Sequence, residues 1–82
     1  MELLHTRASR VHDDYGIGDR VQFNDLCSVE MLRGATATIV SKPRGNLTVM
    51  LDRPIGRYSK TIDGVSHGGS TTVPRLIVNR IR

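Results

Sequence analysis

Ala35-Thr36-Ala37-Thr38-Ile39-Val40, then Lys42-Pro43-Arg44-Gly45-Asn46, then Leu47-Thr48-Val49-Met50-Leu51 is the stretch that decides the fold. The first run is rich in β-branched residues, whose stiff side chains suit a pleated sheet. The last puts Leu47, Val49 and Leu51 on one face, because successive residues of an extended chain point to opposite sides. Between them, Pro43 presets φ for a turn and Gly45-Asn46 tolerate positive φ. The reading is an antiparallel hairpin over 35–51.

Working outward, Gly16-Ile17-Gly18-Asp19 reads as a turn into Arg20-Val21-Gln22-Phe23, where apolar and polar residues alternate as in a half-buried strand. Asn24-Asp25 breaks it. Residues 26–33 hold Leu26, Val29, Met31 and Leu32, with Ser28 placed to cap one helical turn, and are too short for a stable helix. They read as a structured loop ended by Gly34. Downstream, residues 57–69 form a long Gly-, Ser- and Thr-bearing connection, a length that in a small domain marks a functional or disordered loop. Ser70-Thr71-Thr72-Val73 is a fourth short strand stopped by Pro74. Residues 75–78 make one tight turn, and 79–82 a last short strand. About five strands without a convincing helix predict an all-β fold, a small barrel over 16–82 that closes on itself and hides its edges. Residues 1–15 show no persistent period and read as a flexible, disordered N-terminal arm.

A chain of 82 residues makes one small domain, which buries only roughly 60% of its unfolded surface and leans on a supplement to its core. Cys27 is the sole cysteine, so no intrachain disulfide forms, and a lone thiol fits a reducing compartment. Cys27, His5, His12 and His67 lack metal-ligand spacing, so no metal is expected. The supplement left is a homo-oligomer. Neither a signal peptide nor a run of roughly 20 apolar residues is present, which predicts a soluble, cytoplasmic protein with no membrane partner. The formal charge is +4 and ten of the twelve basic residues are arginine, whose guanidinium matches phosphate bidentately. That balance suits nucleic acid, and also serves plain solubility.

Among the candidate chemical groups, adjacent Asp13 and Asp14 would point apart in an extended chain, so they form no acid–base pair. Cys27 and His67 could make a nucleophile and base, yet nothing local places them together and no third group is identifiable. Gly64-Val65-Ser66-His67-Gly68-Gly69-Ser70 could turn backbone N–H groups toward an anion, although it lacks the Gly-Lys-Ser/Thr ending of a phosphate loop. Arg53, Arg57, Tyr58 and Lys60 form the densest basic and aromatic group, the combination that single-strand binders use. Arg53, Arg57, Tyr58, Lys60, Ser66 and His67 are therefore the residues assigned to partner binding. No catalytic residue and no cofactor is assigned.

Two resemblances bear on this plan. Gly34 through Val40 running into Leu47-Thr48-Val49 looks like the KOW-type hairpin of ribosomal and transcription proteins. Tyr15-Gly16-Ile17-Gly18-Asp19-Arg20-Val21 is similar to the aromatic-Gly-Met-Gly-Asp-Arg-Val opening of the plasmid-borne type II dihydrofolate reductases. Pro74, followed six and seven residues later by Arg80-Ile81, is similar to that family's ending, and Ile39-Val40 falls in a matching strand. The resemblance implies an SH3-like barrel with a disordered arm that assembles around a central pore. It does not carry over the activity. The family's Val-Gln-Ile-Tyr pore run reads Ser70-Thr71-Thr72-Val73 here, and its pore lysine falls at Phe23.

The functional expectation is a non-catalytic small binding module, of a mobile element, phage or bacterium, contacting nucleic acid or a protein partner through basic loops. The alternative is an oligomeric enzyme related to type II dihydrofolate reductase.

Overall fold

A computed structural model describes residues 15–81, and all regular structure in them is strand or single 3₁₀ turn. Seven strands form: β1 (Arg20–Phe23), β2 (Thr36–Ser41), β3 (Leu47–Leu51), β4 (Ser59–Ile62), β5 (Val65–Gly68), β6 (Ser70–Val73) and β7 (Val78–Arg80). The protein is all-β. Five strands make one antiparallel sheet in the order β6-β3-β2-β1-β7, and β4 with β5 makes a separate two-stranded ribbon.

Alternation explains the core. Val21 and Phe23 of β1, Ala37 and Ile39 of β2, and Leu47, Val49 and Leu51 of β3 all turn to one side and are buried. Val73, Val78, Leu32 and Cys27 complete that layer, and no polar or charged side chain is fully buried among the described residues. The opposite face carries Arg20, Gln22, Thr38, Thr48 and Thr72, with the Thr48 and Thr72 hydroxyls hydrogen-bonded across β3 and β6 at 2.7 Å. At Val40 the register of β2 slips, because Ile39 pairs Val49 while Ser41 pairs Thr48. One residue is left over there, as in a β-bulge.

The five strands read from alternation are the five of the main sheet. The closed barrel is not found. β6 and β7 are the two ends of the sheet, and no ladder joins them. The edge strands hold only four and three residues, and the link between them is Pro74, which lacks an N–H, and the 3₁₀ turn Arg75–Ile77. Too few paired groups face each other to close a barrel.

Three further corrections are local. The connection over 57–69 is not an irregular loop but the β4–β5 hairpin, whose turn residues Asp63 and Gly64 have φ of 51° and 78°. Two successive positive φ values match the right-handed twist of a two-residue hairpin. In the β2–β3 turn the left-handed residues are Arg44 (φ 49°) and Gly45 (φ 84°), while Asn46 is extended. The 3₁₀ turn Glu30–Leu32 begins after Val29, with no side-chain cap, so Ser28 does not serve as one. Of the arm assigned to 1–15, all but Tyr15 lies outside the described residues. Tyr15 is half-buried against the core and its hydroxyl donates to the Val78 carbonyl at 3.2 Å.

Candidate functional site

The charge pairing among the described residues separates arginines that hold the fold from cations that do not. Arg20 grips Asp52 with two nitrogens, at 2.8 and 2.6 Å, and the Thr36 hydroxyl donates to the same carboxylate. Arg80 donates to Asp19 at 3.0 Å and lies over the Tyr15 ring. Arg33 donates through Nε to the Cys27 carbonyl at 2.8 Å, with Glu30 a distant 3.8 Å away. Among the described residues, Lys42, Arg44, Arg53, Arg57 and Lys60 make no ion pair, although the Arg53 charge reaches Asp52 and helps to lower its carboxyl.

The Asp52 cluster has a pH signature. Hydrogen bonds from Arg20 first and Thr36 second hold the Asp52 carboxyl below its ordinary value, and the same contact raises Arg20. A carboxyl depressed by folding stabilises the native state above its unfolded pKa, and that share is lost as pH falls through the folded pKa. Urea titrations of wild type and Asp52→Asn should therefore differ at pH 7 and converge as pH drops below about 4. A difference that stays constant down to pH 2 would show that the carboxylate charge is not what the cluster uses.

Three of the five remaining cations fall at one end of the sheet. There the chain leaves β3, passes Arg53 and Ile55, turns at Gly56 and enters the ribbon. A groove of about 400 Å³ here is lined by Arg33 and Arg53 together with Met31, Ala35, Thr36 and Ile55. Gly56 eases this turn, since its φ is +54°, and a Cβ there would have to push aside the exposed Met31 sulfur at 2.8 Å. The groove thus combines apolar side chains with two arginines in a lining that is mixed polar and apolar, a surface that suits an anion carrying an apolar portion.

The sequence-assigned residues are distributed around this end. Arg53 lines the groove. Arg57 lies over the Tyr58 ring, 5.5 Å from its centroid. Tyr58 is half-buried against the core, and its backbone binds Ile55 and Gly69. One face of its ring is therefore taken, which leaves a poor stacking platform. Lys60 pairs directly with His67 across the ribbon, while Ser66 pairs with Thr61. Neighbouring residues of a strand point apart, so His67 and Ser66 sit on opposite faces.

Other groupings are not brought together. Cys27 is buried in the core with its thiol against the Val29 carbonyl, while His67 is exposed on the ribbon. The Gly68-Gly69 pair does not form an anion concavity, because the Gly69 N–H donates to Tyr58 at 2.9 Å. No group of three or more His, Cys, Asp or Glu placed to hold a metal occurs among the described residues. No helix there is long and apolar enough to cross a membrane.

Sequence reading missed Arg33, Met31 and Ile55. Arg33 stands twenty positions before Arg53, and only the sheet brings the two segments to one end, so no local signal announces the groove.

Comparison with protein-family models, with curated proteins and with solved structures finds no significant match to this chain.

Proposed function

We propose that this chain is a non-catalytic nucleic-acid-binding module acting through the end of the sheet that carries Arg33, Arg53, Arg57 and Lys60. The observation that carries this reading is the set of cations without carboxylate partners, three of them gathered beside a two-arginine groove and an exposed ribbon. A cation that is not needed for an intramolecular ion pair is available to neutralise phosphate, and doing so releases condensed counterions. No titratable pair converges on the groove, whose polar contributors are guanidinium groups and the Thr36 hydroxyl. A guanidinium group binds and orients; it does not transfer protons.

Fluorescence anisotropy with labelled DNA and RNA across a salt series tests the reading. Affinity should fall as salt rises, and each of Arg53→Ala, Arg57→Ala and Lys60→Ala should reduce the slope of log K against log salt by up to about 1. Their melting temperatures should stay near wild type, because the three side chains are exposed. Absence of binding at low salt, or binding indifferent to salt, overturns it.

A second reading, an oligomeric enzyme related to type II dihydrofolate reductase, has one supporting observation. The two segments that carry the resemblance, 15–21 and 74–81, meet in the sheet, where Val21 of β1 pairs with Arg80 of β7. NADPH binding followed by dihydrofolate turnover in the purified chain would favour it over the binding module.

A further inference from the structure

We infer that the β4–β5 ribbon is the reading element, entering the major groove of duplex DNA while Arg53 and Arg57 at its base hold the flanking phosphates. The inference rests on the nucleic-acid reading above and adds to it the class of nucleic acid and the element that reads it.

The ribbon meets the main sheet at its base, where Gly68 is buried against the Leu51 backbone, and the rest of it stands exposed. All four residues of β4 are exposed, as are Val65, Ser66 and His67 of β5. Neither strand is hydrogen-bonded into the main sheet. A two-stranded hairpin alone is marginally stable in water, so one anchored only through its base is suited to a partner along its exposed length. Its dimensions fit a groove: four residues at about 3.3 Å each make strands roughly 13 Å long. The DNA major groove, about 12 Å wide and 8.5 Å deep, admits a two-stranded ribbon.

The two faces carry different chemistry. Lys60 and His67 form a cross-strand pair on one face, with the pair Ile62 and Val65 beyond them toward the tip. Ile62 and Val65 are 48% and 55% exposed. Lysine reaches guanine acceptors or phosphate, and the aliphatic pair suits the methyl group of thymine. The opposite face offers the hydroxyls of Ser59, Thr61 and Ser66, which can donate to or accept from base edges. Asp63, at the turn, is the sole carboxylate of the hairpin and can accept only from the amino group of cytosine or adenine.

Competing occupants fit less well. Single strands are held by bases stacked on open aromatic faces. Here Phe23 is buried, Arg80 covers Tyr15 and Arg57 covers Tyr58. The major groove of double-stranded RNA is too narrow to read. A second copy of this chain would set the Lys60 and His67 face against a like face.

The test uses the whole chain with a DNA duplex of about two helical turns, each single strand, and the same sequence as double-stranded RNA, at low salt. Duplex DNA should bind at least about tenfold more tightly than the other two. Thr61→Glu with Ser66→Glu should weaken duplex binding by about tenfold or more, while Ile17→Glu with Val40→Glu, at the far end of the sheet, should change it less than about threefold. Methylation of guanine N7, which lies in the major groove, should interfere with binding. If the ribbon variant binds duplex like wild type, or if single strands or duplex RNA bind equally well, the ribbon inference is overturned and the nucleic-acid reading stands. If no nucleic acid binds, both fall, and a protein becomes the partner for the exposed ribbon.

Discussion

Gly68→Ala should unfold the chain or lower its melting temperature by about 12–24 °C, the shift that roughly 3 kcal/mol produces in a domain this size. Gly68 ends β5 where the ribbon crosses the end of β3. A Cβ there would stand 1.9 Å from the Leu51 carbonyl oxygen, 2.5 Å from its carbon and 3.1 Å from the Arg53 nitrogen. All three are backbone atoms, so no side-chain rotation relieves the clash. Moving them breaks the local pairing, in which the Leu51 N–H donates to the Gly69 carbonyl at 2.9 Å and the Gly69 N–H to Tyr58. Gly64→Ala is the matching control. Its site is open within 4 Å, and only its φ of +78° opposes a side chain, which costs about 1–2 kcal/mol. Thermal melts followed by circular dichroism check the pair. A Gly68→Ala protein that melts within a few degrees of wild type would mean that the ribbon does not cross β3 as described.

The main sheet was legible because its signals are local. Val21 and Phe23 alternate with Arg20 and Gln22, Leu47, Val49 and Leu51 fall two apart, and Pro74 stops β6; each statement needs only neighbours in sequence. The ribbon was illegible for the reason that makes it interesting. Ser59-Lys60-Thr61-Ile62 and Val65-Ser66-His67-Gly68 show no clear alternation because neither face is buried, so burial leaves no pattern to read. Asp63-Gly64 was a usable hairpin signal, but it stood among glycines and serines that read equally well as loop. Barrel closure and the Arg33–Arg53 groove depend on which strands lie at the edges and ends of the sheet, a non-local outcome that no window of sequence encodes. Tyr15 shows the same limit, since the acceptor of its hydroxyl, Val78, lies 63 residues away. Of the six assigned site residues, four gather near one end by their own proximity in the chain. Ser66 and His67 fall on two faces because they are neighbours in a strand, β5.

Phe23→Ala should cost about 3–5 kcal/mol, the range for removing a large buried aromatic ring from a packed core. Phe23 is 2% exposed, and it is the only phenylalanine of the chain. Its strand, β1, is paired on both sides, with β2 and β7, so the space the ring leaves cannot easily collapse. Domains of this size are stable by only about 4–12 kcal/mol, so one substitution removes roughly a quarter of the margin or more. Leu76→Ala is the contrast: Leu76 is 68% exposed, and its truncation should stay within about 0.5 kcal/mol. Urea melts should show a lower midpoint for Phe23→Ala with an unchanged slope, the sign that stability and not compactness has changed. A cost below about 1 kcal/mol would place the core elsewhere. The same variant separates folding from binding. Because Phe23 is buried and is not among the residues that line the groove, Phe23→Ala should lose nucleic-acid affinity only in proportion to its unfolded fraction. Arg53→Ala and Lys60→Ala should lose affinity while remaining folded. If Phe23→Ala, tested under conditions where it is fully folded, bound as weakly as those two, the binding surface could not be confined to the cationic end of the sheet.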